Sequence, residues 1–211
     1  KNKMIYNMFN KKMLLGVMCF LLAGSVIGFA GIKLTRGGYE SPEYTSKKHA
    51  EGFEIRHYSG MTIVSTKKAD SKSITKERDS RFMRLFKYID KSNDKSEKIA
   101  MTTPVFMGVG GNEGEMSFVI PKEVVNKGAP SPNSDKLYVS KMNPTVFAAM
   151  RFRGKSSKEG AAAKKLIEKV ETAGLKIAKD AKPIFAYYDP PWIPIFLRKN
   201  EVLIQIKDIK K

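Results

Sequence analysis

The chain is 211 residues long, 42% hydrophobic, and carries a formal net charge of +18. That length holds one good-sized domain and an appendage, and the apolar content excludes a disordered chain. The only cysteine, Cys19, sits in an apolar run near the N-terminus, which excludes disulfides and thiol chemistry from the folded part.

Lys1, Lys3, Lys11, Lys12, Lys33 and Arg36 precede the first acid, Glu40. Residues 37–211 keep 33 basic against 21 acidic side chains, a net +12. Those lysines are scattered rather than blocked, which reads as a solvated charged face with a preference for anions. No nucleic-acid partner is expected.

Residues 1–12 form a basic N-terminus. Residues 13–32, MLLGVMCFLLAGSVIGFAGI, hold no charge, and twenty helical residues rise about 30 Å, enough to cross a bilayer core. More positive charge precedes this run than follows it closely, so the positive-inside rule keeps the N-terminus cytoplasmic. The expectation is a single-pass signal-anchor with the following domain exported. The alternative is cleavage after small residues such as Gly28 and Ala30, leaving a secreted or periplasmic protein. Residues 33–38 read as a linker, 39–207 as the domain and 208–211 as a basic tail.

Within the domain, Phe53, Ile55 and His57 alternate with polar neighbours as in a strand, and Ser59-Gly60 turns into a second strand over 61–69. Residues 73–91 change to helical period, with Phe82, Leu85, Phe86 and Ile89 on one face. A polar turn, KSND, leads to KIAMTTPVFM (98–107), where Pro104 imposes an extended backbone on Thr103. Residues 104–108 and 115–120 are strands, with Met116, Phe118 and Ile120 sharing a face. The order then recurs: strands over 137–142 and 145–152, a helix opened by a Ser156–Glu159 capping box and closed at Gly174, and strands over 184–188 and 201–206. Gly60 and Pro144 are 84 positions apart, as are Phe82 and Leu166, and Phe86 and Val170. The reading is an α+β fold built from a duplicated ββαββ unit. Four strands and one helix per unit cannot cover a sheet alone, so a distorted β-barrel or two-sheet packing with two outer helices is expected.

Familiar catalytic signatures are missing from this sequence. His49 and His57 make no HExxH-type motif, no GxSxG elbow occurs, and the glycine-rich residues 108–114 join two strands as a hairpin loop rather than a phosphate loop. Carboxylates are plentiful and cannot be paired from sequence, so a hydrolase stays as an alternative. A neutral His57 on a strand face is suited either to ligate iron or to hydrogen-bond backbone at a barrel rim. Tyr187, Tyr188, Trp192 and Phe196 cluster around Pro190, Pro191 and Pro194, either as a flat apolar wall for a planar ligand or as packing of the last strands.

The segments FEIRHY (53–58), RLFKYI (84–89), KIAMTTPV (98–105), MSFVIP (116–121), YDPPW (188–192) and RKNEV (198–202) together resemble the SOUL haem-binding proteins. The resemblance spans residues 39–206. It implies a distorted β-barrel with two helices and binding of haem or a related tetrapyrrole in a shallow apolar site. It makes His57 a candidate axial ligand, with Arg56, Lys98 and Arg198 as candidate propionate partners and Tyr188 and Trp192 as candidate wall. The expected function is that of a membrane-tethered, non-enzymatic haem carrier or buffer. The alternatives are a binding module for another amphipathic small molecule or a hydrolase of such a ligand.

Overall fold

Alternating apolar residues in the second half of the chain pair into long ladders, and the strand order follows from them. The computed structural model describes residues 38–66, 74–109, 114–190 and 192–207. Among these residues are nine strands: β1 (Tyr44–Lys48), β2 (Glu54–Tyr58), β3 (Met61–Thr66), β4 (Val105–Met107), β5 (Met116–Val119), β6 (Leu137–Met142), β7 (Thr145–Phe152), β8 (Ile184–Tyr187) and β9 (Asn200–Gln205). Three α-helices accompany them: α1 (Ile74–Ile89), α2 (Lys122–Asn126) and α3 (Glu159–Thr172). The strands form one antiparallel sheet in the order β1-β2-β7-β9-β8-β4-β5-β3-β6.

The duplication is visible in that order. Exchanging β2 with β6, β3 with β7, β4 with β8 and β5 with β9 reproduces the sequence of strands from β2 to β6, read backwards. The pseudo-twofold therefore lies between β4 and β8, where Phe106 faces Ala186 across the ladder. Each repeat gives its first strand to the other: β2 pairs with β7, and β6 pairs with β3. KIAMTTPVFM feeds this central junction. Ile99 is buried, the Thr102 hydroxyl donates to the Val119 carbonyl at 2.6 Å, and the Thr103–Pro104 peptide is cis.

The expected distorted barrel or two-sheet packing is corrected to a single sheet that does not close, because among the described residues the end strands β1 and β6 do not pair with each other. All five residues of β1 are exposed, Lys47 and Lys48 among them. Charged side chains on a free edge oppose further strand addition. The sheet still curls. Tyr58, Met61, Ile63, Phe106, Val119, Phe147, Ile184 and Leu203, drawn from strands far apart in the order, share one apolar cluster on its inner face. On the outer face α3 packs Ala162, Ala163, Leu166 and Val170 against Ile55, Ala148, Val202 and Ile204. There α1 packs Leu85, Tyr88 and Ile89 against Val64, Met116, Phe118 and Leu137. Fully buried Leu166 and Val170 contribute roughly 1.5–3 kcal/mol each on transfer grounds.

Two local expectations also change. In α1 the buried row is Leu85, Tyr88 and Ile89, while Phe82 and Phe86 are 37% and 41% exposed and stack on each other. Both stripes contain Leu85 and Ile89. The structure selects the one that gives the Tyr88 hydroxyl an acceptor, the Pro130 carbonyl at 2.8 Å. At α3 the capping residue is Lys158, with no side-chain cap bond, and the Glu159 carboxylate accepts the Tyr187 hydroxyl instead. The C-terminal signal holds: Gly174, at φ +72°, donates to Glu171, and Leu175 donates to Val170, closing the helix as a Schellman motif. The 13–32 run lies outside the described residues. Among those described, no helix is long and apolar enough to cross a membrane.

Candidate ligand-binding groove

Side chains of period two put Tyr44, Ser46 and Lys48 of β1, Glu54 and Arg56 of β2, Ala149 and Arg151 of β7, and Glu201 of β9 on the inner face. The ladders set Glu54 between Lys48 and Ala149, and Arg151 beside Glu201. With His49, Gly52, Phe53, Met150 and Lys199 they line a groove of about 520 Å3, inside the range of roughly 300–1,000 Å3 usual for small-molecule sites.

Its floor is a buried charge cluster. Arg56 donates through Nη1 to Glu201 Oε2 at 2.6 Å and through Nη2 to Oε1 at 3.2 Å, a two-pronged pair. Its Nε donates to Glu54 Oε2 at 2.9 Å, and its guanidinium carbon lies 4.6 Å from the Tyr44 ring centroid. Glu201 also accepts the Tyr188 hydroxyl at 2.8 Å, and Lys199 Nζ stands 3.5 Å from it and 3.8 Å from the Tyr188 ring centroid. Burial alone would push the Glu201 carboxyl up; the Arg56 hydrogen bonds and charge outweigh it and hold the group below its usual value. Burial likewise works against the Arg56 charge, and Glu201 more than offsets it, so the guanidinium is held protonated. The Tyr188 hydroxyl is pushed up, first by burial and then by the Glu201 charge. Burial also pushes Tyr58 up to about 12 against the opposing Arg56 charge.

Glu201 is thus a poor general base: both its oxygens accept from Arg56 and it is held ionised. The floor balances Arg56 and Lys199 against Glu54 and Glu201. Lys48 and Arg151, both exposed, add positive charge at the mouth. A groove so charged favours an anionic ligand, and its apolar contacts come from Tyr44, Phe53, Ala149 and Met150.

Of the residues singled out in the sequence, the structure joins Arg56 and Tyr188 through Glu201. His57, exposed and on the opposite face from Arg56, lies outside the groove lining. Lys98 is exposed on the connection before β4. Trp192 is 75% exposed on the β8–β9 loop, and Arg198 holds that loop by donating from Nε to the Ile193 carbonyl at 2.8 Å. The histidine that does line the groove is His49, stacked on Phe53 with ring centroids 4.6 Å apart. Its Nδ1 accepts the Glu51 amide at 3.3 Å, which leaves the proton of the neutral ring on Nε2. Among the described residues no three His, Cys, Asp or Glu side chains gather as a metal site.

Sequence reasoning missed Glu201, Tyr44, Lys48, His49, Arg151 and Lys199. One signal was present: a buried charge in an apolar strand needs an opposite partner. Arg56 in EIRHY and Glu201 in NEVLIQ are the two strand charges that answer each other.

The sequence family described as SOUL heme-binding protein matches residues 39–205. The chain belongs to the SOUL haem-binding family. No curated protein matches the chain. Among solved structures, the SOUL domain is similar to the EcmrR C-terminal domain, with a TM-score of 0.52 at 12% identity, covering 79% of this chain and 99% of that one. It is also similar to a hydrolase from Listeria innocua, with a TM-score of 0.50 at 14% identity, covering 83% and 98%. The EcmrR–DNA complex gives a TM-score of 0.54 at 10% identity, covering 89% of this chain and 65% of that one. At such identities the likeness is one of fold. The family is one of binding proteins, and haem is its ligand class.

Proposed function

We propose that this SOUL domain binds haem or a related tetrapyrrole in the β1-β2-β7-β9 groove, as a membrane-tethered carrier or buffer. The family match carries the ligand class. The groove's charge carries the orientation: Lys48, Arg151 and Lys199 would receive the two carboxylates, and Tyr44, Phe53 and Met150 would meet the macrocycle. The residues present fit the carboxylates better than the iron. His49 offers a protonated Nε2 until its ring turns away from the Glu51 amide, and His57 stands outside the lining. The reading is therefore one of carboxylate and plane recognition, in which bound haem supplies colour and redox capacity and the protein supplies shelter. The uncharged 13–32 run and the basic residues before it support the tether, with the domain exported.

The test is a titration of the full chain with haem, with iron-free protoporphyrin and with its dimethyl ester. Binding of haem and protoporphyrin within tenfold of each other, about 1.4 kcal/mol, is expected. The ester is expected to bind more weakly than either. Ester binding equal to that of the free acid would overturn the assignment of Lys48, Arg151 and Lys199. Absence of any saturable change in the Soret region on titration with haem would overturn the ligand class. For the tether, protease added outside spheroplasts is expected to degrade the domain and leave the N-terminal fragment with the membrane.

A further inference from the structure

The β8–β9 loop presents Trp192 at 75% exposure, Phe196 at 70% and Ile195 at 36%. Exposed large apolar residues in one short loop are an exception to ordinary surfaces. The loop's backbone is tied rather than slack. Ile193 donates to Pro190 at 3.1 Å and Leu197 to Pro194 at 2.9 Å, Lys199 donates to the Asp189 carboxylate, and Arg198 grips the Ile193 carbonyl. Ile193 itself is buried at 7% exposure, so the loop is anchored from beneath while its larger rings stay outside.

A basic turn borders this tip. Arg153 Nη1 donates to the Phe196 carbonyl at 3.4 Å, and Asn200, the first residue of β9, donates to the Gly154 carbonyl at 3.0 Å, which holds the start of the turn beside the loop. Lys158 folds over Gly154, its Cδ 3.0 Å from where a side chain would begin. Arg153, Lys155 and Lys158 are all exposed. The acids nearby are engaged: Asp189 with the Lys199 amide and Glu159 with the Tyr187 hydroxyl. Aromatic rings projecting from a tied loop with a basic turn beside it suit a bilayer interface, where rings enter at headgroup level and cations meet anionic lipid.

We propose that the Trp192–Ile195–Phe196 tip docks the domain onto an anionic membrane surface, with Arg153, Lys155 and Lys158 contacting the headgroups. Charge complementarity selects a lipid surface over an apolar protein groove, because Arg153 is bonded to the Phe196 backbone and Lys155 and Lys158 follow it in the same exposed turn. The site is separate from the groove and stands whatever ligand the groove holds.

Trp192 is the chain's only tryptophan, so its fluorescence reports the tip alone, even with residues 13–32 present. The full chain is reconstituted into phosphatidylcholine vesicles with or without phosphatidylglycerol, using acyl chains brominated near the headgroup. In the anionic vesicles Trp192 emission is expected to shift to shorter wavelength and to be quenched by the bromines. Charge reversal in Arg153→Glu/Lys155→Glu/Lys158→Glu is expected to weaken tip docking by about fivefold per cation and to reduce the quenching accordingly. Phe196→Ser is expected to weaken it about ten- to a hundredfold. Unquenched Trp192 in anionic vesicles, or equal quenching in neutral ones, overturns the proposal. So does a wavelength shift produced by soluble polyglutamate, which would assign the tip to an acidic protein.

Discussion

Replacing Glu201 with Gln removes one negative charge while keeping a side chain of nearly the same shape. Arg56, with only 5% of its side chain exposed, then keeps Glu54 as its one carboxylate partner, and the Glu54 side chain is 34% exposed. Orphaning one member of a buried ion pair costs roughly 3–5 kcal/mol, and the surviving Glu54 contact and the open groove lower this to about 2–3 kcal/mol. Urea unfolding is expected to show that loss as a fall in midpoint with an unchanged slope. The double variant Arg56→Met/Glu201→Leu is expected to regain most of it, because no buried charge is then left alone. pH supplies an independent arm. The folded Glu201 carboxyl lies below its ordinary 4.5, so its contribution is full above the unfolded value and disappears as pH falls through the folded one. The native protein is expected to lose stability below about pH 4.5, and the Gln variant to lack that part of the acid limb. A loss below about 0.5 kcal/mol in Glu201→Gln, within the range of an ordinary surface change, would refute the reasoning. So would a double variant less stable than either single one.

Burial pushes Tyr58 and Tyr88 up to about 12. Their protonated forms therefore contribute stability that is complete below the unfolded value of 10.0 and lost as pH rises beyond it; ultraviolet titration is expected to show them ionising together with unfolding. Leu166→Ala, at a fully buried position, is expected to cost about 2–5 kcal/mol by thermal or urea unfolding, whereas exposed Phe86→Ala is expected to stay below about 1 kcal/mol. His57→Ala is expected to leave the Soret band of the haem complex in place, and His49→Ala to weaken binding. A band displaced by the His57 substitution would return that residue to the iron.

Where the chain alternates cleanly, its sequence is legible. The strands 137–142 and 145–152 are found as expected, because the Asn143-Pro144 turn separates them and Val146, Ala148, Met150 and Phe152 recur at every second position of the latter. The doubled unit was legible for the same reason, since the period switches from two to 3.6 and back in each half. β1 was invisible because all its side chains are exposed, so nothing in YTSKK alternates between core and water. The rotation of α1 was ambiguous because Phe82 and Tyr88 extend the same Leu85–Ile89 stripe, and only a distant carbonyl at Pro130 decides between them. The groove was hardest to see. Arg56 and Glu201 lie 145 positions apart, and a charge pair formed across three strands leaves no trace in local spacing. Lys48 and Arg151 are two among many scattered cations, and register alone makes them neighbours of that pair.

The exchange of first strands between repeats dictates how the chain can be built in time. β2 leaves the ribosome well before its partner β7, and β7 is not covered on its other side until β9 arrives near the end of synthesis. Neither repeat can finish a sheet half by itself, so an emerging N-terminal half exposes unsatisfied strand edges until its sibling is translated. Long-range pairing of this kind slows folding and lengthens exposure to aggregation. It also makes the molecule intolerant of a stop codon before β9, since such a product lacks the strand that joins β7 to β8 and parts the sheet at that seam. Two separately made halves, by contrast, carry matching vacancies, and co-expression is the natural way to rebuild the whole from its parts.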